Sequence, residues 1–345
     1  MPTVPKVNCT TTWQKIARLT VSRNNACVLE GFNMSEQDLS QHKIGWIGTG
    51  RMGFAMAQRL LKSGADLAVW NRTKSKAEPL KADGAVIVDN PEDLADRDII
   101  FTMVGGPVDF VEVTLGDAGV LSGGQKPKLL IDSTSVDEAS SSEVRLAAEE
   151  MGVLMLAAPV SGNAKVVKSG KLTFAVSGPE SAYNEARVYL DAIGRGSSYV
   201  GEGELSRFIK ICHNVMLGVV IQNMVEITVL AEKAGVPRHA FLDFLNNSVM
   251  GSMFTKYKSP SLINLDYSVT FTPKLLLKDL DLGLAAARAN GVPMPVTTAA
   301  REVVQMLIGN GYTEEDFSAL LAMHAKSSGL DLKSEEKQVS DGLSD

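Results

Sequence analysis

The stretch Lys43-Ile44-Gly45-Trp46-Ile47-Gly48-Thr49-Gly50-Arg51-Met52-Gly53 constrains this chain more than any other. A short apolar run meets glycines at 48, 50 and 53, and the helical pattern "RMGFAMAQRLLKSG" then runs to Gly64. Each glycine answers a different demand of a strand-to-helix turn built around a pyrophosphate. Gly48 permits the tight turn, Gly50 lets the backbone approach the ligand, and Gly53 lets helix and strand pack closely. Thr49, Arg51 and Met52 complete the turn. The phosphates would sit on the helix N-terminus, where free N–H groups and the helix dipole favour anions. Alone, G-x-G-x-x-G is a weak signal; behind a strand and at the mouth of a helix it is much stronger.

Strand-like runs recur at "DLAVW", "AVIV", "DIIFTMV", "KLLIDS" and "VLMLAAPV", with amphipathic helical stretches between several of them. That alternation argues for a parallel sheet covered on both faces. After "KLTFAVSG" and "SSYVG" the strands stop. Helices follow, a long one from about Leu205 to Ala234 and others starting near Arg238, Pro273, Pro295 and Thr313. The reading is therefore a Rossmann-type α/β domain over 43–203, an all-helical domain over 204–328, and a polar tail over 329–345 that reads as disordered.

Residues 1–42 differ from the rest. Through Leu29 they carry Lys6, Lys15, Arg18 and Arg23, many Ser and Thr, and no acid. That is the composition of a mitochondrial-type presequence. The other reading starts translation at Met34, and the poor amphipathic character of the segment favours it. The first reading makes the protein mitochondrial, the second cytoplasmic; on both, residues 1–42 stand outside the fold.

Composition removes several classes of function. The 45% hydrophobic content of 345 residues suffices for two cores. A net charge of −6, with no basic stripe interleaved with aromatics, disfavours nucleic-acid binding. Cys9, Cys27 and Cys212 are odd in number and scattered, which suggests no disulfide framework and fits a reducing compartment. His42, His213, His239 and His324 form no metal-ligand spacing, so no metal is expected. The apolar run "VMLGVVIQNMVEITVLA" carries Gln222, Asn223 and Glu226, which makes it a core helix of a soluble protein rather than a membrane span.

The end of the second strand selects the dinucleotide. An NAD site usually places Asp or Glu there to accept from the ribose 2′-hydroxyl. This chain has Asn71-Arg72-Thr73-Lys74. Asn71 removes the charge that would repel a 2′-phosphate, and Arg72 can pair with that phosphate or stack on the adenine. Thr73 and Lys74 add a donor and a second positive charge. NADP(H) is the expected cofactor, ahead of NAD.

The second half has to supply an acid/base group. In "RFIKICHNVMLG", Lys210 and Asn214 are four apart and share a helix face. Flanked by Ile209, Ile211 and Val215, Lys210 would be partly desolvated, which lowers an amine from roughly 10.4 toward the working range of a catalyst. On pattern alone, a lysine snorkelling to the surface explains the same residues.

Five motifs in order now carry a resemblance: "GWIGTGRMG", "LIDSTS", "APVSGNAKVVKSGKLTF", "KICHN" and "FTPKLLLKDL". From about Lys43 to Lys326 the chain resembles the β-hydroxyacid dehydrogenase family, which includes 3-hydroxyisobutyrate dehydrogenase and tartronate semialdehyde reductase. The resemblance implies a 6-phosphogluconate dehydrogenase-like fold and hydride transfer between NADP(H) and a small β-hydroxy acid or its semialdehyde, with a carboxylate-bearing substrate. It also implies that Val104, Gly105 and Ser135 line the nicotinamide half of the cofactor, and that Ser161, Gly162 and Asn163 meet the substrate carboxylate. Lys210 would be the acid/base and Asn214 would orient substrate or lysine. Lys278 would reach back toward the cofactor, and Phe271 would help wall the cleft.

The chain departs from the family in places. Asn163 stands where a second glycine is common; it tolerates left-handed backbone and adds a donor. The usual aspartate before "APVSG" is Ala157, and Glu204-Leu205-Ser206-Arg207 replaces a glycine-rich turn. Ser206, four residues before Lys210, would share its cleft. His213 replaces the first asparagine of a usual pair and reads as a packed or hydrogen-bonded helix residue rather than a base. These departures leave the reaction type intact and the substrate's identity open. Imine reductases on the same fold commonly replace the lysine by Asp or Tyr, so Lys210 argues against that alternative. A 6-phosphogluconate-type decarboxylating enzyme would need a larger helical domain. Lys210, Asn214 and Lys278 together argue against a non-catalytic cofactor-binding module. Helical domains of this type usually bury an apolar helix against a second subunit, and 205–234 is apolar nearly all round, which implies a homodimer or homotetramer.

Overall fold

The computed structural model describes residues 39–343; the readings of residues 1–38, presequence or late start, lie outside the described residues. The fold begins a few residues before the glycine turn. Leu39 is buried in the α/β core, and His42 Nδ1 shares a 2.8 Å hydrogen bond with the Tyr189 hydroxyl, so 39–42 belong to the domain they were expected to precede.

The first half runs β1 (Lys43–Ile47), α1 (Arg51–Lys62), β2 (Asp66–Trp70), β3 (Val86–Ile87), β4 (Ile99–Thr102), α2 (Pro107–Leu115), β5 (Leu129–Asp132), α3 (Glu138–Glu150), β6 (Leu154–Ala157), β7 (Val160–Ser161), α4 (Ala164–Lys168), β8 (Thr173–Ser177), α5 (Glu180–Ile193) and β9 (Gly196–Gly201). The strands form one sheet in the order β3-β2-β1-β4-β5-β6-β8-β7, with β9 on β8. Every position of β4 and β5 is buried, because helices cover both faces. Ile44, Trp46, Leu67, Val69 and Phe101 pack on one side with α1 and α5, and Trp46 stacks on Phe101 at 5.4 Å. Ile47, Ile100, Leu130, Phe110 and Val144 pack on the other with α2 and α3.

The sheet is parallel from β3 through β6 but not throughout. β8 runs antiparallel to both β6 and β7. Only a one-turn helix separates β7 from β8, and so short a connection cannot make the crossover a parallel pair needs.

The second half is helical, as expected: α6 (Leu205–Lys233), α7 (Arg238–Asn247), α8 (Met253–Asn264), α9 (Pro273–Ala289), α10 (Pro295–Gly309) and α11 (Leu320–Ser327). By length and apolarity α6 could cross a bilayer, yet its Ile221, Met224, Val225 and Val229 form the helical core with Leu276 and Leu280 of α9, Val304 of α10 and Leu320. Sequence reading missed α8, whose "MFTKYKSPSLIN" has an internal proline and no clear apolar stripe. It stands on a Ser252/Thr255 capping box and on buried Leu262 and Ile263. The helix expected near Thr313 starts later. Asp316 instead pins the approach to it by accepting from the backbone of Thr270, Phe271 and Ser318 and pairing with buried Lys258 at 2.6 Å.

The polar tail, through Leu343, packs on the helical domain, where its composition reads as disordered. Pro237 gives α7 no side-chain cap, and Glu335 supplies one from the tail, accepting from the backbone N–H of Arg238 at 2.8 Å and of His239 at 3.0 Å. Arg238 donates to the carbonyls of Leu262, Ile263 and Lys333, and Leu330, Leu332 and Val339 pack on the helical core. Composition cannot reveal this packing, because each partner is distant in sequence.

Candidate active site

The glycine turn has the predicted shape. Gly48 sits at φ +100°, and a Cβ there would strike the Met103 carbonyl. A Cβ at 53 would fall on the Gly48 carbonyl oxygen, which already accepts from the Trp46 indole at 2.7 Å. Gly50 is different: its φ of −65° suits any residue, and a Cβ would meet no protein atom within 4 Å. Contacts inside the protein account for glycine at 48 and 53 but not at 50. The space left beside Gly50, at a helix N-terminus without a side-chain cap, fits a dinucleotide pyrophosphate. Gly50→Ala should therefore change the unfolding free energy by less than about 1 kcal/mol, the weaker N-cap offset by the lower entropy of the unfolded chain, while weakening dinucleotide binding. Gly53→Ala should lose about 1–3 kcal/mol from overpacking. Denaturant titrations with and without NADPH check both.

Asn71 ties the turn to the loop after β2: its Oδ1 accepts from Thr49 N–H at 2.8 Å, and its Nδ2 donates to the Thr73 carbonyl at 2.8 Å. Arg72 is exposed and pairs with Asp109 at 2.8 Å, and Lys74 pairs with Asp89. Arg51 and Met52 begin α1, Arg51 exposed and Met52 partly buried against the core. No carboxylate occupies the position that would accept from a ribose 2′-hydroxyl; Asn71 does.

Beyond β4 and β5 lies the predicted nicotinamide edge. Val104 N–H donates to Thr134 Oγ1 at 3.1 Å, Gly105 lies against Asp109, and Ser135 is exposed just after. The start of α6 is fastened to this edge by buried charges. Arg207 pairs with Asp132 at the end of β5 and donates to the Thr134 carbonyl at 2.7 Å. Asp132 also accepts from Thr102 at 2.6 Å and from Thr134 N–H at 3.0 Å. Glu204 pairs with Arg145 of α3 at 2.6 Å. Ser206 is buried too, donating to the Ala157 carbonyl at 2.8 Å and bonded to Ser177; it anchors α6 and does not face the cleft as expected. These bonds fasten the first turn of α6, one turn before Lys210, to the C-terminal end of β5. On the same edge of the sheet the strand order changes direction between β1 and β4, the place where open α/β sheets bind ligands.

Lys210 is half-buried, and desolvation, partly offset by the Asp279 carboxylate and reinforced by the Lys278 charge, lowers its amine to about 8. Around it runs a continuous chain of polar contacts. Ser161 Oγ and His213 Nε2 lie 2.8 Å apart, His213 Nδ1 and Asn214 Oδ1 3.0 Å, and Asn214 Nδ2 donates to Asp279 at 2.7 Å. Lys278 pairs with Asp279 at 3.1 Å. Four predicted residues, Ser161, Lys210, Asn214 and Lys278, are thus brought together from β7, α6 and α9.

Two expectations need adjusting, and two further features have to be added. Asn163 does not use left-handed backbone; Gly162 does, at φ +136°, while Asn163 is extended and its Oδ1 caps α4 by accepting from Lys165 and Val166 N–H. Phe271, expected at the wall of the cleft, packs edge-on against Phe317 at 6.0 Å and against the helical core. Asp279 and the Arg207–Asp132 pair were not singled out. Asp279 stood in view within "LKDL" and Asp132 within "LIDSTS", but only the fold shows what faces them.

Similarity to known proteins agrees with this geometry. Residues 43–201 match the family model of the NAD-binding domain of 6-phosphogluconate dehydrogenase. Residues 205–324 match the model described as NAD-binding of NADP-dependent 3-hydroxyisobutyrate dehydrogenase. The chain belongs to the β-hydroxyacid dehydrogenase family and is an NAD(P)-dependent oxidoreductase acting on CH–OH donors. It is 33% identical to a chloroplastic glyoxylate/succinic semialdehyde reductase 2 of Arabidopsis thaliana, over 83% of this chain and 80% of that one. It is 31% identical to the mitochondrial 3-hydroxyisobutyrate dehydrogenase of Mus musculus, over 81% and 86%. A solved 3-hydroxyisobutyrate dehydrogenase of Mycobacterium tuberculosis with L-serine shares 27% identity at a TM-score of 0.70, covering 82% of this chain and 99% of that one.

Proposed function

We propose that the chain reduces a small carboxylate-bearing semialdehyde to its hydroxy acid with NADPH, or runs the reverse oxidation, with Lys210 as the general acid/base. The observation that carries this is the desolvated amine of Lys210, set within the Ser161–His213–Asn214–Asp279–Lys278 chain. The nicotinamide supplies or accepts the hydride when bound. The protein holds the substrate and manages the proton. In reduction the carbonyl carbon gains hydride and its oxygen takes a proton from the Lys210 ammonium; in oxidation the neutral amine takes the hydroxyl proton as hydride departs. An amine near 8 is poised for both roles at neutral pH. Asn214, fixed by Asp279, orients the substrate oxygen. Ser161, Gly162 and the free amide donor of Asn163 receive the carboxylate, which decides which carbon faces the nicotinamide. Gly48, Thr49, Gly50 and Gly53 hold the pyrophosphate. Arg72 leaves Asp109 to meet the 2′-phosphate, which favours NADP over NAD.

Purified protein should consume NADPH faster with glyoxylate or succinic semialdehyde than with cyclic imines, and NADPH faster than NADH. Turnover of imines in preference to semialdehydes would contradict the proposal. Exposed Met216, Leu230, Phe244, Val249 and Met250 on α6, α7 and the turn that follows support assembly into a homodimer or homotetramer.

A further inference from the structure

His213 controls what Ser161 can do. Asp279, paired with Lys278, accepts from Asn214 Nδ2, so the other end of that amide, the acceptor Oδ1, is the one that meets His213. His213 Nδ1 must therefore carry a hydrogen. A neutral imidazole has only one N–H, which leaves Nε2 a bare acceptor. Ser161 Oγ, 2.8 Å from Nε2, then has to donate its single proton to the ring. In that state the hydroxyl has no proton to offer a carboxylate. Protonating Nε2 reverses the bond: the ring donates to Oγ, and the Ser161 proton is released toward the cleft.

We propose that Ser161 and His213 form a proton-gated carboxylate clamp, in which binding an anionic substrate takes up one proton at His213. The inference rests on the reading of Ser161 as the carboxylate residue. The groups facing the ring are Lys210 on its own helix, Asp279 and Lys278 on α9 through Asn214, and from β7 the uncharged Ser161. Desolvation and the Lys210 charge hold the ring below its ordinary 6.5 in the free protein, so near neutral pH it is mostly uncharged. A substrate carboxylate adds the negative charge that draws the proton in. Affinity for a carboxylate should accordingly fall as pH rises through the titration of the free ring, up to about tenfold per pH unit. His213 is a positioning residue here, since it acts through Ser161.

The test is the KM for succinic semialdehyde with saturating NADPH from pH 5.5 to 7.5, below the Lys210 titration. Wild type should show KM climbing with pH while kcat changes little. In His213→Gln the side-chain amide is a permanent donor to Ser161, so KM should stay low and level across the range. In His213→Leu no ring nitrogen holds the Ser161 proton, so KM should also be level with pH and lie below the wild-type value at pH 7.5. A level KM in wild type, or the wild-type slope in His213→Gln, overturns the clamp while leaving the proposed reaction standing. Absence of semialdehyde turnover by wild type overturns the reaction and the clamp together.

Discussion

Replacing Lys210 by alanine should lower kcat on the order of 10³-fold in both directions while leaving dinucleotide affinity within a few-fold of wild type. The expectation follows from where the amine sits. It is desolvated and close to Lys278, with only the Asp279 carboxylate opposing the shift, and it is the one group in the cluster brought to about 8. The sign of the pH dependence follows. Reduction needs the ammonium, so its kcat should be level below about 8 and fall above it; oxidation needs the free amine and should rise with pH to a plateau above 8. Steady-state rates in both directions, with NADPH affinity from fluorescence titration, check the prediction. The same placement has a cost in stability. A lysine whose folded value lies below its unfolded value makes the unfolded state bind more protons between the two, so the fold gains stability as pH rises from about 8 toward 10.5. Lys210→Met should therefore be inactive and, at pH 7, more heat-stable than wild type.

The largest stability loss should come from Arg207→Met. The substitution strands the Asp132 carboxylate, fully buried, with no cation beside it, and removes the donor to the Thr134 carbonyl. Breaking a buried pair from one side costs about 3–5 kcal/mol. Asp132 remains bonded to Thr102 and Thr134, so the α/β core should persist while α6 loosens at its start. Chemical denaturation should show the loss in unfolding free energy, and kcat should fall as well, because Lys210 lies one turn beyond the broken anchor. Arg72→Met, which breaks an exposed pair, should change stability by less than about 1 kcal/mol, and serves as the contrast.

What could be read in the sequence was whatever depends on neighbours close along the chain. The glycine turn is local: strand, turn and helix are contiguous, and the constraints on Gly48 and Gly53 come largely from that unit and the β4 end beside it. Lys210 and Asn214 needed only a helical period to share a face. Distant partners decided the rest. Asn163 reads as a backbone substitute for glycine until α4 is seen to begin immediately after it. Ser206 shares a helical period with Lys210, yet Ala157 and Ser177 claim its hydroxyl. The tail reads as solvated by composition, and Glu335 becomes a helix cap only because α7 lies over it. His213 reads in the sequence as a packed or hydrogen-bonded helix residue, but its bond to Ser161, 52 positions away, has no signal there.

The titration of Lys210 is the most direct test of its role as proton carrier. Enzyme carrying lysine labelled with ¹³C at Cε, with the Lys210 resonance assigned by its absence in Lys210→Arg, reports the protonation of that amine as pH is varied. The midpoint should lie at about 8. A midpoint at 10.5, the value of a lysine in open water, would mean that the cleft does not strip water from the amine, and the assignment of Lys210 as the proton carrier would be wrong.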